Sequence, residues 1–306
     1  MPMNNTTVMT TNVEWWLILI DVLMIISTVS AVLLAIVFTI MVLMYRTCRT
    51  VSMMFSSNSC LAEILFGSTM ANMAVFSFEN DRQQKAYQDS LCTLRGYLGY
   101  VGCGLFFYSC ALQTIYRYIV IVHPTRLSWQ SARVQLIAIS FMWLYCFLTM
   151  FPWLLTGDIT YSVVDQICLV PLRLSVPIVY NMLVLYVIPM SMIIIIYMKL
   201  VHHMHKISTR ATSAKTVFQI RRHFIVVCRI VIIVVILLIL SIPYTVFNFM
   251  SFFTKPPKYH LRIAILVLDI SQPLTMVIIF VLSQPVMDII KKWRLLPMNT
   301  IHPTIT

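Results

Sequence analysis

Residues 92–124 read CTLRGYLGYVGCGLFFYSCALQTIYRYIVIVHP, an apolar stretch opened by Cys92 and closed by Tyr116-Arg117-Tyr118 and then His123-Pro124. As a helix, the run from Cys92 to Arg117 rises about 37 Å, more than the roughly 30 Å of hydrocarbon in a bilayer. The cysteine and the arginine therefore fall at opposite faces of a membrane. Six further apolar stretches flank this one, at residues 16–44, 53–78, 134–156, 174–201, 224–253 and 261–283. Each is long enough to cross as a tilted helix. None alternates in the manner of barrel strands, and no long linker or second soluble domain interrupts them. The expectation is an all-α integral membrane protein, a seven-transmembrane helix bundle over residues 15–283. A tail, 1–14, precedes it and a short segment, 284–306, follows.

Composition demands the same solvent. Of 306 residues, 60% are apolar and only 10% charged, and the mean hydropathy is +0.88. Soluble domains run near half apolar and a quarter charged, which excludes an ordinary cytosolic enzyme. No phosphate-binding loop, dinucleotide fingerprint, zinc-protease motif or nucleophile elbow appears either. The net charge of +12 is a topology signal rather than a nucleic-acid footprint. Fifteen basic residues, among them Arg117, Arg126, Arg221, Arg222, Lys291 and Lys292, gather in the connections of one side against the single acid Asp288. The positive-inside rule makes that side cytosolic and puts the N-terminus outside, as an odd number of crossings requires. The first span then serves as its own uncleaved signal. Asn4 and Asn5 open overlapping glycosylation sequons in the outer tail.

Further landmarks stand at fixed places in the other spans. Trp143 and Pro152 lie in the fourth, Pro189 in the fifth, and Pro243 within Leu240-Ser241-Ile242-Pro243-Tyr244 of the sixth; Cys168 precedes the fifth. Together with Cys92 and Tyr116-Arg117-Tyr118, this combination resembles the rhodopsin-like (class A) G-protein-coupled receptors over about residues 15–295. The resemblance implies a Cys92–Cys168 disulfide that pins the second outer loop. It also implies that Arg117 meets a heterotrimeric G protein when the sixth span swings outward, with Tyr116, Tyr118, His123, Pro124, Arg221 and Arg222 around it. The localisation implied is a multi-pass protein of the plasma membrane.

Several positions depart from the family pattern. Tyr116 replaces the acid that usually precedes the arginine, and Arg221 and Arg222 stand where a carboxylate often opens the sixth span. The usual ionic restraint on the inactive state cannot form, so elevated ligand-free signalling is expected; weak or absent coupling is the alternative. In Asn58-Ser59-Cys60-Leu61-Ala62-Glu63, Glu63 replaces the family's aspartate. It is read either as a sodium ligand or as a protonated, hydrogen-bonded acid, and no other cofactor or metal is expected. Ser241 replaces the sixth span's tryptophan, and Met276 and Val277 fill the Asn and Pro places of the seventh, where Pro273 supplies a kink instead.

For the ligand, four glycines (Gly96, Gly99, Gly102, Gly104) cluster in the outer half of the third span. Close helix packing and an open pocket wall are the two readings of such spacing. Gly99 takes the place where amine-binding relatives carry aspartate, so an amine is disfavoured. Gly99, Gly102, Tyr244, Phe247, Arg262 and Asp269 form the candidate pocket. Charges at Arg173, Lys255, Lys258 and Arg262 favour a peptide, as in divergent invertebrate peptide receptors. After Ser283, the apolar residues Val286, Ile289, Ile290 and Trp293 oppose Asp288 and Lys292 at helical spacing, which predicts a short amphipathic helix on membrane lipid. The competing functions are a receptor-like protein that binds without signalling and a small transporter, although no internal repeat favours the latter.

Overall fold

The computed structural model describes residues 9–10, 15–171, 175–210, 235, 239, 242–247, 249–250, 253–254 and 257–295. Its helices are α1 (Trp15–Met44), α2 (Val51–Gln83), α3 (Cys92–Val122), α4 (Ala132–Thr156), α5 (Val176–Asn181), α6 (Ile188–Arg210), α7 (His260–Leu282) and α8 (Gln284–Leu295). A π-helical turn, Met182–Val187, joins α5 to α6. Six helices among the described residues are long and apolar enough to cross a membrane, with Val176–Lys206 counted as one. The expected span at 224–253 falls mostly outside the described residues; 242–247, around Pro243, are helical.

Local sequence explains where these helices start and stop. Thr50 caps α2 by accepting from the Met53 amide at 3.3 Å, and Ser131 caps α4 through the Val134 amide. Gly157, at φ +73°, ends α4 in the left-handed conformation that glycine adopts without strain. Pro189 stands just past the π-helical turn and contributes to it. Proline has no N–H to donate to the preceding turn, and its ring crowds the carbonyl four residues back. The chain widens ahead of it, so that the Ile188 amide bonds the Leu183 carbonyl, five residues back. Pro152 and Pro273 lie inside α4 and α7.

Among the described residues, strand structure is confined to two small antiparallel pairs. Met9–Thr10 (β1) pairs with Lys85–Ala86 (β2), and Thr160–Ser162 (β3) pairs with Ile167–Leu169 (β4). The second pair is a hairpin between α4 and α5, and a disulfide joins its Cys168 to Cys92 at the start of α3, with Cα atoms 5.4 Å apart. Asn4 and Asn5 lie outside the described residues.

Helix α3 lies at the centre, packed on α2, α4 and α6, while α1 packs on α2 and α7. Three of its four glycines exist for contact. A Cβ on Gly96 would sit 2.6 Å from the Cys168 carbonyl oxygen, one on Gly102 would sit 2.8 Å from the Phe66 backbone, and one on Gly104 would sit 2.9 Å from Leu185. Gly99 differs, since its Cβ would meet only the Met70 sulfur, at 4.0 Å. Packing therefore explains Gly96, Gly102 and Gly104, and open space explains Gly99. Gly96→Ala and Gly102→Ala should each lower the melting temperature of the purified protein, because the obstructing atoms are backbone. Gly99→Ala should leave it unchanged or raise it, since alanine favours helix by up to about 1 kcal/mol.

Candidate functional site

A cavity of about 110 Å³ opens among α2, α3, the π-helical turn and α7 near the hairpin. Gly99, Tyr100 and Phe107 of α3 line it, facing Asn181, Leu185 and Tyr186 across the space, and Leu169 of β4 closes one side. Tyr244 and Thr245 contribute from the helical residues 242–247. Among the described residues, none in the lining is acidic or basic. Leu169 is held there by its neighbours: Ile167 and Val170 are buried, and the Val170 amide donates to the Tyr100 hydroxyl at 3.2 Å. Beside the hydroxyls of Tyr100, Tyr186, Tyr244 and Thr245, the lining carries the carboxamide of Asn181. Its Oδ1 accepts from Trp153 Nε1 at 2.9 Å, while Nδ2 has no partner among the described residues.

Of the residues expected to form the pocket, Gly99 and Tyr244 line this cavity. Gly102 is closed off by Phe66, and Phe247 packs into the core with its ring edge-on to His260 at 6.1 Å. Arg262 and Asp269 are wholly buried and outside the lining. Arg262 instead forms an ion pair with Asp81 of α2, has Asp21 of α1 at 3.7 Å, and donates Nε–H to the Asp165 carbonyl at 2.7 Å. One guanidinium thus ties α1, α2, α7 and the hairpin turn together. Ser77 adds a second tie, donating to the Gln166 carbonyl at 3.0 Å. Neither Asp81 nor Asp165 was expected as a partner of Arg262, and no local signal marks a pair 181 positions apart.

Deeper in the bundle, Glu63 is 1% exposed and its Oε1 has no hydrogen-bond partner among the described residues. Gln272 donates to Asp269 Oδ1 at 3.1 Å, leaving Gln272 Oε1 and Asp269 Oδ2 likewise unpartnered. Gly67 makes the room. A Cβ there would lie 3.3 Å from Gln272 Oε1 and 3.4 Å from Glu63 Oε1. Asp269 therefore belongs with Glu63 in a buried set of oxygen acceptors rather than with the cavity.

Toward Arg117, a polar ladder crosses the bundle. Trp143 Nε1 donates to Asn58 Oδ1 at 2.9 Å, Asn58 Nδ2 to Ser109 Oγ at 2.7 Å, and Gln113 Nε2 to Ser59 Oγ at 3.0 Å. Arg117 donates from Nη2 to Ser52 Oγ at 2.5 Å. No carboxylate lies within ion-pair distance of it among the described residues. Tyr116 packs on Phe55 with ring centroids 5.0 Å apart, and Tyr118 meets the His123 ring edge-on at 6.2 Å. Pro124 follows in the exposed turn, whose carbonyls at His123 and Pro124 accept from Gln130. Arg221 and Arg222 lie outside the described residues.

The family model described as 7 transmembrane receptor (rhodopsin family) matches residues 34–281. The chain belongs to that family. No individual curated protein matches it. The rhodopsin-family receptors are not enzymes, and this receptor is accordingly a multi-pass membrane protein whose partners are an extracellular ligand and a G protein. Its Cys92–Cys168 bridge is formed, as the resemblance implied. Ser52 escaped the sequence reading, because a serine in a membrane helix carries no signal of what it will meet.

The Arg262 pairing has a measurable weight. Removing one partner of a buried ion pair typically costs about 3–5 kcal/mol, because the other charge is left uncompensated. Asp81→Asn should therefore lower the receptor's melting temperature markedly. Asp21→Asn, which removes a charge at 3.7 Å, should do so by less. Melting of the purified receptor, followed by tryptophan fluorescence, gives both values, and equal small shifts would sink the assignment of Asp81 as the main partner.

Proposed function

We propose that this receptor lies in the plasma membrane with residues 1–14 outside, the bundle 15–283 spanning, and 284–306 in the cytosol. On this reading the cavity takes an extracellular ligand, and occupancy is passed to a heterotrimeric G protein docking around Arg117. The sixth span would swing outward about Pro243, and Arg221 and Arg222 would join the contact surface. Helix α8 would rest on the inner leaflet. Val286 is buried against the bundle, and the exposed Lys291 and Lys292 would each gain about 1 kcal/mol from anionic lipid.

The observation that carries the signalling reading is the bond from Arg117 to Ser52. A permanently charged guanidinium at the end of a span needs solvent or a partner. Here the partner is a neutral hydroxyl on α2, in place of the acid that Tyr116 displaces. A hydroxyl holds a guanidinium less firmly than a carboxylate does, so release of Arg117 toward a G protein meets a lower barrier and ligand-free activity is raised. Glu63 Oε1, Gln272 Oε1 and Asp269 Oδ2 supply hard oxygen donors of the kind a sodium ion takes, which supports the sodium reading of Glu63 and adds Asp269 to it.

An amine ligand stays disfavoured, since Gly99 contributes room to an uncharged wall. The peptide reading rested in part on Arg262, and that charge is consumed by Asp81 and Asp21. Lys258 remains exposed, while Arg173 and Lys255 lie outside the described residues.

Nucleotide exchange on a G protein, with the receptor in lipid nanodiscs and no ligand added, tests the signalling reading. Arg117→Ala should reduce exchange to the level of empty discs. Ser52→Ala should raise it, by about tenfold or more if the lost bond is worth what a charge-assisted hydrogen bond usually is. Exchange by Arg117→Ala equal to that of the unaltered receptor would leave a binding protein or a transporter as the better account.

A further inference from the structure

We propose that the cavity beside the hairpin binds an uncharged, largely apolar molecule carrying one hydrogen-bond acceptor, which Asn181 Nδ2 holds. The inference rests on the receptor reading and narrows its ligand class. Three observations converge on it.

The first is the absence of any countercharge. Among the described residues the lining holds no acidic or basic side chain, Glu63 and Asp269 lie outside it, and the cations placed nearby are already committed. Arg262 is spent on Asp81 and Asp21. Arg95, one turn along α3 from Gly99, pairs with Asp89 and lies over the Phe76 ring at 4.2 Å. An ammonium or carboxylate entering such a wall would lose its hydration and find no partner. A charged ligand is therefore rejected by the same physics that lets an apolar one in.

The second is the state of Asn181. It is 4% exposed and belongs to the cavity lining. The indole of Trp153 can only donate, so the oxygen of the Asn181 amide must face it and the NH₂ must face elsewhere. That NH₂ has no partner among the described residues. Buried donors are nearly always satisfied, so an acceptor is what this site lacks, and a ligand's carbonyl, ester or hydroxyl oxygen supplies one.

The third is that the backbone itself makes the space. The π-helical turn begins directly after Asn181 and contributes Met182, Leu185 and Tyr186 to the wall. Across from it, Gly99 omits a side chain where one would fit without collision. Turns of this kind cluster at functional sites, and here the widening and the missing side chain serve the same cavity.

The test uses the full receptor in nanodiscs and three photoreactive diazirine probes on one medium-length alkyl chain, ending in a methyl ketone, a carboxylate or an ammonium. After illumination, mass spectrometry maps the label. The ketone should label the α3 and π-turn segments of the cavity saturably, with the parent methyl ketone as competitor, while the charged probes label only lipid-facing surface. Gly99→Leu, which fills the space, should abolish the saturable label and leave that on lipid-facing α1 unchanged. Asn181→Ala removes the donor, so it should cut the saturable label several-fold, as loss of one hydrogen bond does, while label on lipid-facing α1 stays unchanged. Labelling of the cavity by a charged probe as strongly as by the ketone, as a site for a charged peptide terminus would give, overturns the proposal. So does saturable labelling that neither variant reduces. The readout needs no G protein, so failure of coupling leaves it intact, while lost labelling with intact Arg117-dependent exchange rejects the ligand class alone.

Discussion

Lipid around these helices removes the hydrophobic drive that would hold them together in water, so the bundle depends on close backbone approach and on polar groups that find each other. Both devices meet on α3. Gly96 lets the hairpin carbonyl of Cys168 come within the space of a missing methyl, and Gly102 does the same for the backbone of α2. On the polar side, Arg262 draws α1, α2, α7 and the hairpin turn to one point, and the Asn58–Ser109–Trp143 ladder fastens α2, α3 and α4. A guanidinium with no water to reach makes its carboxylates obligatory, which turns a charge into a fastener.

The division of labour among the buried polar groups follows from this constraint. Those that close their hydrogen bonds within the protein are structural: Asn58, Trp143 and Ser77 are of this kind. Among the described residues eleven buried side-chain atoms lack a hydrogen-bond partner, and two groups of them stand out. Asn181 leaves a donor at the cavity, and Glu63 with Gln272 and Asp269 leaves acceptors in the middle of the bundle. Arg117 stands apart from both, donating to the Ser52 hydroxyl at the end of its helix.

Much of the fold was legible before any coordinates. The apolar runs located six helices to within a few residues, except that α2 continues to Gln83 and α6 to Arg210 as turns beyond the apolar stretch. Pro152 and Pro273 fall inside helices as expected, and Pro189 leaves its mark one turn earlier, in the π-helical widening that no residue type encodes by itself. The site was legible only in part. Gly99 and Tyr244 reach the cavity, whereas Arg262 and Asp269, chosen for their charge, are drawn off by partners. Charge at a pocket's edge looks the same in sequence whether it awaits a ligand or serves an ion pair.

The sequence by itself determined the solvent, the spans, the cysteine pair and the arginine at the end of α3, because each follows from local composition, from spacing along one helix, or from a family pattern of such spacings. Only the tertiary structure decided which glycine opens a cavity and which closes a contact, which acids claim Arg262, and which amide is left with an unanswered N–H. Those outcomes depend on which atoms from distant segments meet in a medium without water, and no single helix carries that information.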